Sequence, residues 1–181
     1  MGAGENVSAE SLRTARLVLR PCTWDDLDAL HALWTDAEVR RWLWDDVVIA
    51  RERAAQVVEE SLGSFDAHGF GIWVVRPRDG DEVIGFAGLR FVEGSDEIEL
   101  LYGLAPAHWG TGLATEAGEA VLAHGFGPVG LPRIAARVDT PNHTSVRVLE
   151  RLAMAFEGEK RVDGRPTLHY ALAREAFAGR G

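Results

Sequence analysis

The stretch Trp109-Gly110-Thr111-Gly112-Leu113-Ala114-Thr115-Glu116-Ala117 is the part of this chain whose residue types and spacing are best suited to chemistry. Two glycines and an alanine at alternate positions leave a loop almost bare of side chains. Its backbone N–H groups can converge on an anion at the start of a helix, where unpaired donors and the helix dipole both favour negative charge. An apolar, strand-like run (98–104) precedes the loop and a helix-like run ending near Phe126 follows it. Strand, bare loop and helix in that order make a pyrophosphate cradle, and a cradle implies a nucleotide-bearing cofactor. The loop lacks the Lys-Ser/Thr pair that ends a P-loop, which argues against a nucleoside triphosphate with magnesium. It is not GxGxxG, and no βαβ unit opens the chain, so a dinucleotide fits poorly.

The elements around the loop follow from hydrophobic periodicity and turn chemistry. A short strand over 17–21 stops at Pro21. Thr23 and Asp26 form a capping-box-like start to a first helix that reaches about Thr35. A second helix spans 49–65, with Ala54, Val57, Val58, Ser61, Leu62 and Phe65 at helical spacing. Strands at 72–76 and 82–91 flank the turn Pro77-Arg78-Asp79-Gly80-Asp81. A fourth strand covers 97–104 and a third helix 115–126. A fifth strand (134–138), a fourth helix (142–152) and a closing hairpin (155–161 with 167–172) complete the order.

Composition bounds the rest. A chain of 181 residues, 46% hydrophobic, suits one core. No run reaches the roughly 18 apolar residues that span a bilayer, so no membrane partner is expected. The net charge of −9 argues against broad nucleic-acid binding. That charge is compatible with a cationic acceptor and equally with ordinary solubility. Cys22, the single cysteine, excludes an intrachain disulfide framework and fits a reducing cytoplasm. The histidines lack HxxxH or HExxH spacing, and no metal is assigned. Residues 1–13 read as a loose tail, 14–174 as one domain and 175–181 as a C-terminal tail.

Four places together resemble the GNAT N-acetyltransferase superfamily, in its RimJ/RimL-like branch. They are the opening Thr14-Ala15-Arg16-Leu17-Val18-Leu19-Arg20-Pro21, the run Glu99-Leu100-Leu101-Tyr102 with the glycine loop, Asn142-His143-Thr144-Ser145, and Leu168-His169-Tyr170-Ala171-Leu172. The loop resembles the branch pattern Trp-Gly-x-Gly-x-Ala-Thr-Glu-Ala, with Trp109 in place of the usual Gln or Arg and acting mainly through its backbone. One departure is Leu152-Ala153-Met154, where the family often has Leu-Gly-Phe or Leu-Gly-Met. Ala153 disfavours positive φ, which loosens the expected helix exit. The resemblance implies an α/β (α+β) GNAT fold: a mixed, strongly twisted sheet of about seven strands, splayed at its centre and flanked by about four helices.

It also implies acetyl-CoA as co-substrate and direct transfer of the acetyl group to a primary amine, either a protein N-terminus or a small molecule. A homodimer is a family-level expectation. The alternative is a non-catalytic acyl-CoA-binding sensor; a nucleotide-binding protein unrelated to acetylation is the remaining contrast. By this resemblance Gly103, Leu104, Trp109, Gly110, Thr111, Gly112, Leu113, Ala114, Thr115, Asn142 and Ser145 contact the cofactor. Gly103 and Leu104 offer backbone N–H groups to the thioester oxygen. Glu99 is the candidate base, with a pKa raised by desolvation, and Glu97 its reserve. The family's usual tyrosine position holds Leu149, leaving Ser145 to meet the departing thiolate. Trp42 and Trp44 either wall the acceptor pocket, beside Asp45 and Asp46, or belong to the core. Arg147 and Arg151 either reach the 3′-phosphate or form a solvated helix face.

Overall fold

Alternation along the strands sorts their side chains onto the two faces of one sheet, and each face has its own helices. The computed structural model describes residues 10–180. Its elements are β1 (Leu12–Arg13), β2 (Leu17–Pro21), α1 (Leu27–Thr35), α2 (Ala37–Arg40), α3 (Arg51–His68), β3 (Ile72–Pro77), β4 (Gly85–Phe91) and β5 (Ile98–Leu104), then α4 (Leu113–Phe126), β6 (Arg133–Asp139), α5 (His143–Arg151), β7 (Ala155–Val162), β8 (Arg165–Ala173) and α6 (Arg174–Ala178). The eight strands form a single sheet in the order β1-β2-β3-β4-β5-β6-β8-β7. Every neighbouring pair is antiparallel except β5 and β6, which run parallel. On one face α4 and α5 bury Val121, Leu122 and Leu149 against Leu89, Leu100 and Ile134. On the other, α1 and α3 bury Leu30, Trp34 and Val58 against Val74 and Phe86.

The expected capping box is present, with the Thr23 N–H donating to Asp26 Oδ2 at 2.7 Å. Arg20 grips the same carboxylate through two nitrogens, at 2.7 and 3.0 Å. The second helix runs three residues past its expected end and stops at Gly69, which takes a left-handed φ of 75°. The apolar signal ended at Phe65 because the last turn is polar. The strand expected over 82–91 begins only at Gly85.

The tails differ from expectation. Residues 1–9 lie outside the described residues, but Leu12 and Arg13 pair with β2, and the Glu10 carbonyl accepts from the Trp73 indole at 3.0 Å. At the other end, residues 174–178 form α6, whose Phe177 packs on Phe126. Elements of two to five residues are too short for a periodic pattern to announce them, which is why β1, α2 and α6 add to the expected count. The exit of α5 is also tighter than expected. Ala153 does adopt a positive φ, 56°, and the Met154 N–H closes on the Leu149 carbonyl at 3.0 Å.

Candidate active site

The parallel strands at the centre of the sheet are paired in register at one position, Glu99 with Ala135. Beyond it they part, and the polar edge of β5 is left facing a gap. The Ala105 N–H bonds the Ile84 carbonyl at 2.8 Å. Antiparallel alternation then turns the Gly103 N–H toward β4, while those of Tyr102 and Leu104 face the gap. Leu104 therefore has a donor to offer there and Gly103 has not. Gly103 is explained by packing, because a Cβ at that position would sit 2.6 Å from the Phe86 ring.

The glycine loop lies beyond the end of β5. Gly110 and Gly112 both adopt left-handed backbone, φ 72° and 81°, which side chains disfavour. Among the described residues, no acceptor takes the N–H groups of Gly110, Thr111, Gly112, Leu113, Ala114 or Thr115. Successive donors in such a turn, at the mouth of a 14-residue helix, form an anion nest. A diphosphate fits this donor set. Trp109 works differently from expectation. Its N–H is tied to the Pro106 carbonyl at 3.1 Å, and its indole donates to the Leu104 carbonyl at 2.7 Å. The side chain, not the backbone, is what matters there: it straps the loop to the strand end.

One feature of the nest would oppose an anion, the Glu116 carboxylate in the first turn of α4. It is neutralised. Thr14 Oγ1, the Arg16 N–H and Arg16 Nε donate to it at 2.6, 2.8 and 2.7 Å. Those contacts overcome the effect of burial and hold its pKa below the ordinary value. Arg16 also donates to the Thr111 carbonyl at 2.9 Å, so one guanidinium fastens β2, the loop and the helix together.

Two cavities run along the gap. One, of about 530 Å3, follows the loop and the start of α5, and Arg147 and Arg151 lie along it. The other, of about 970 Å3, opens between β4, β6, α3 and the β7–β8 hairpin. They meet at Trp42, Leu43, Tyr102, Asn142 and Ser145, which line both. Asn142 caps α5 by accepting from the Ser145 N–H at 3.1 Å. Tyr102, which sequence reasoning did not single out, donates from its hydroxyl to the Ser145 carbonyl at 3.2 Å. Strand alternation puts it on the face opposite Glu97 and Glu99, and that was the available signal. Burial pushes its pKa well above the ordinary tyrosine value, so it serves as a hydrogen-bond donor and a poor acid.

The tryptophan pair divides. Trp42 lines the junction under the Arg41 guanidinium, 4.9 Å from its ring centre. Trp44 turns inward, packs edge-on against Trp34 at 6.0 Å and joins the α1–α3 core. It does not line either cavity.

The expectation for Glu99 is corrected. The residue is only 3% exposed, and burial alone would raise its pKa. Arg137 donates to it through Nε at 2.6 Å and Nη2 at 2.9 Å, and Arg90 through Nε at 2.8 Å. These bonds and charges outweigh burial and hold the carboxyl below its ordinary value. A carboxylate clamped by two guanidiniums is a weak base. Glu97 is likewise engaged, by Arg133 Nη1 at 2.6 Å. Cys22 is buried with its thiol toward the Ser61 hydroxyl at 3.3 Å, and burial raises its pKa, which leaves it inert.

The model of the Acetyltransferase (GNAT) domain family matches residues 16–155. The uncharacterized N-acetyltransferase p20 of Bacillus licheniformis is 34% identical over 154 residues, 82% of this chain and 84% of that protein. A GNAT-family acetyltransferase structure from Bordetella pertussis superposes with a TM-score of 0.79 at 28% identity, covering 91% of this chain and 99% of the other. The ribosomal L7/L12 alpha-N-protein acetyltransferase RimL, solved in complex with coenzyme A, shares the fold, with a TM-score of 0.77 at 19% identity over 92% and 99% of the two chains. The chain belongs to the GNAT acetyltransferase family and is an acetyltransferase. Among the described residues, no helix is long and apolar enough to cross a membrane.

Proposed function

We propose that this acetyltransferase moves an acetyl group from acetyl-CoA to a primary amine by direct attack on the thioester. The observation that carries the reading is the meeting of the two cavities at Tyr102, Asn142 and Ser145, with the anion nest at the far end of one of them. In this reading the N–H groups of residues 110–115 hold the diphosphate of the cofactor. Arg147 and Arg151 face its remaining phosphate. The open edge of β5 accompanies the pantetheine arm, and the Leu104 N–H is the donor for the thioester oxygen. Ser145 lies where the thiolate departs, and its hydroxyl donates to the developing charge. Trp42 and Leu43 separate the cofactor side from the acceptor side. Glu99 acts through Arg90 and Arg137 as a positioning residue.

Two measurements test this. Calorimetry should show binding of coenzyme A and none of ATP or NAD. Release of the coenzyme A thiol should then depend on an added amine. Binding without thiol release across a broad amine panel would make the protein an acyl-CoA sensor instead.

A further inference from the structure

The charged groups of the larger cavity do not cancel locally. At its floor, within ion-pair distance, one carboxylate, Glu99, meets two guanidiniums, Arg90 and Arg137, a local excess of cation that Glu93 and Asp163, which also line the cavity beyond ion-pair distance, oppose. Each guanidinium has five N–H donors and spends only part of its fork on Glu99. Arg90 is more than half exposed, so its free edge is open to a ligand. Toward the junction with the cofactor-side cavity the sign reverses. There a single guanidinium, Arg165, lies 2.9 Å from Asp45 and 3.9 Å from Asp139. Two carboxylates against one cation leave a surplus negative charge. Burial raises the Asp139 pKa and Asp45 adds to it, and Arg165 offsets only part of that, so a further cation would be welcome. A third pair, Arg53 with Glu60, cancels itself.

The two ends are aligned by one strand. Arg137 and Asp139 stand two residues apart on the same face of β6, about 7 Å along the strand. The Asp139 end abuts the reaction junction, since the Asn142 N–H bonds the Asp139 carbonyl at 2.8 Å. Resting on the acetyl-transfer reading above, we propose that the acceptor is a small zwitterion, a free amino acid. Its carboxylate docks on Arg90 and Arg137, and its amine lies at the Asp139 end, facing Ser145. Glu99 holds both arginine forks in place before the ligand arrives, which lowers the entropy lost on binding. A peptide whose first side chain carries no carboxylate has none at that distance from its amine, so the cavity selects against it.

The test pairs each acid with its carboxamide: glycine, L-alanine, β-alanine and L-glutamate against glycinamide, L-alaninamide, β-alaninamide and L-isoglutamine, where the α-carboxylate becomes an amide. Thiol release and calorimetric binding to the coenzyme A-loaded protein are both read. At least one acid should exceed its amide by about tenfold or more in kcat/KM, the worth of a charge-assisted contact. Arg90→Gln should bring that ratio to within about twofold, and Arg90→Lys should restore part of it. Equal or better use of amides, or of a short peptide, overturns the proposal and leaves acetyl transfer standing. So does a ratio unmoved by Arg90→Gln. Acid-selective binding without thiol release upholds the zwitterion pocket and ends the transferase reading. No binding and no turnover of any acid overturns the pocket whatever the enzyme's other activity.

Discussion

At the residue scale, Glu99 is where chemical type and chemical state separate most clearly. A buried carboxylate next to a reaction centre is an obvious base when read alone. Ringed by Arg90 and Arg137, it becomes the anchor of a charged floor. Glu99→Gln should cost about 3 kcal/mol of stability, because it breaks a buried ion cluster. It should also leave the acidic limb of the kcat/KM–pH profile in place, since the two guanidiniums hold the Glu99 carboxyl below its ordinary value and favour its ionised form. Disappearance of the limb in the variant would return the residue to the role of base. That Glu99 shares a strand face with Glu97 and Leu101 was legible from alternation. Its state was not, because both arginines come from other strands, β4 and β6.

At the element scale, the start of α4 carries the cofactor reading. Gly112 has a φ of 81°, and a Cβ there would meet Arg16 Nη2 at an ordinary 3.5 Å. The cost of a substitution is therefore backbone strain, about 1–2 kcal/mol, with crowding of the bare loop added. Gly112→Val should raise the coenzyme A dissociation constant by about tenfold or more and lower the melting temperature modestly. Unchanged affinity in calorimetry would remove the loop from the cofactor site. The end of α5 makes the opposite case. Ala153 sits at φ 56° where glycine would be relaxed. Ala153→Gly should stabilise the protein by about 0.5–1 kcal/mol despite the added freedom of the unfolded chain, read as a rise in melting temperature. The loop was legible because small residues at alternate positions are a local signal. The strap formed by the Trp109 indole and the neutralising of Glu116 by Arg16 were not, since Arg16 arrives from the turn before β2, a hundred positions away.

At the scale of the whole molecule, three carboxylates among the described residues are held below their ordinary pKa values. Burial alone would raise all three. For Asp26 the Arg20 and Thr23 bonds override it, for Glu99 its two arginines do, and for Glu116 Thr14 and Arg16 do. In each case the folded state binds its proton less readily than the unfolded chain. Their stabilisation is full above the unfolded values, about 3.9 for Asp and 4.3 for Glu, and is lost as the pH falls through the folded ones. The share of stability these three groups supply, read by urea unfolding, should thus be lost below about pH 4, while the His169 imidazole, whose pKa burial lowers, makes stability begin to fall already below its unfolded value of about 6.5. The loss below about pH 4 should be shallower in Glu99→Gln, which lacks one of the three groups.

Residue types and their spacing alone determined the order of the main elements, the bare loop before a helix and the family they resemble. All of these are encoded within windows of about ten to twenty neighbouring residues, where periodicity and turn chemistry act. Only the tertiary structure decided which amides stay unpaired, that Trp42 faces the groove while Trp44 joins the core, and that Glu99 is clamped. It alone brought Arg90, Arg137, Asp139 and Arg165 around one cavity. Those outcomes depend on which strands become neighbours, and electrostatic interactions fall off with distance in space, whatever the separation along the chain.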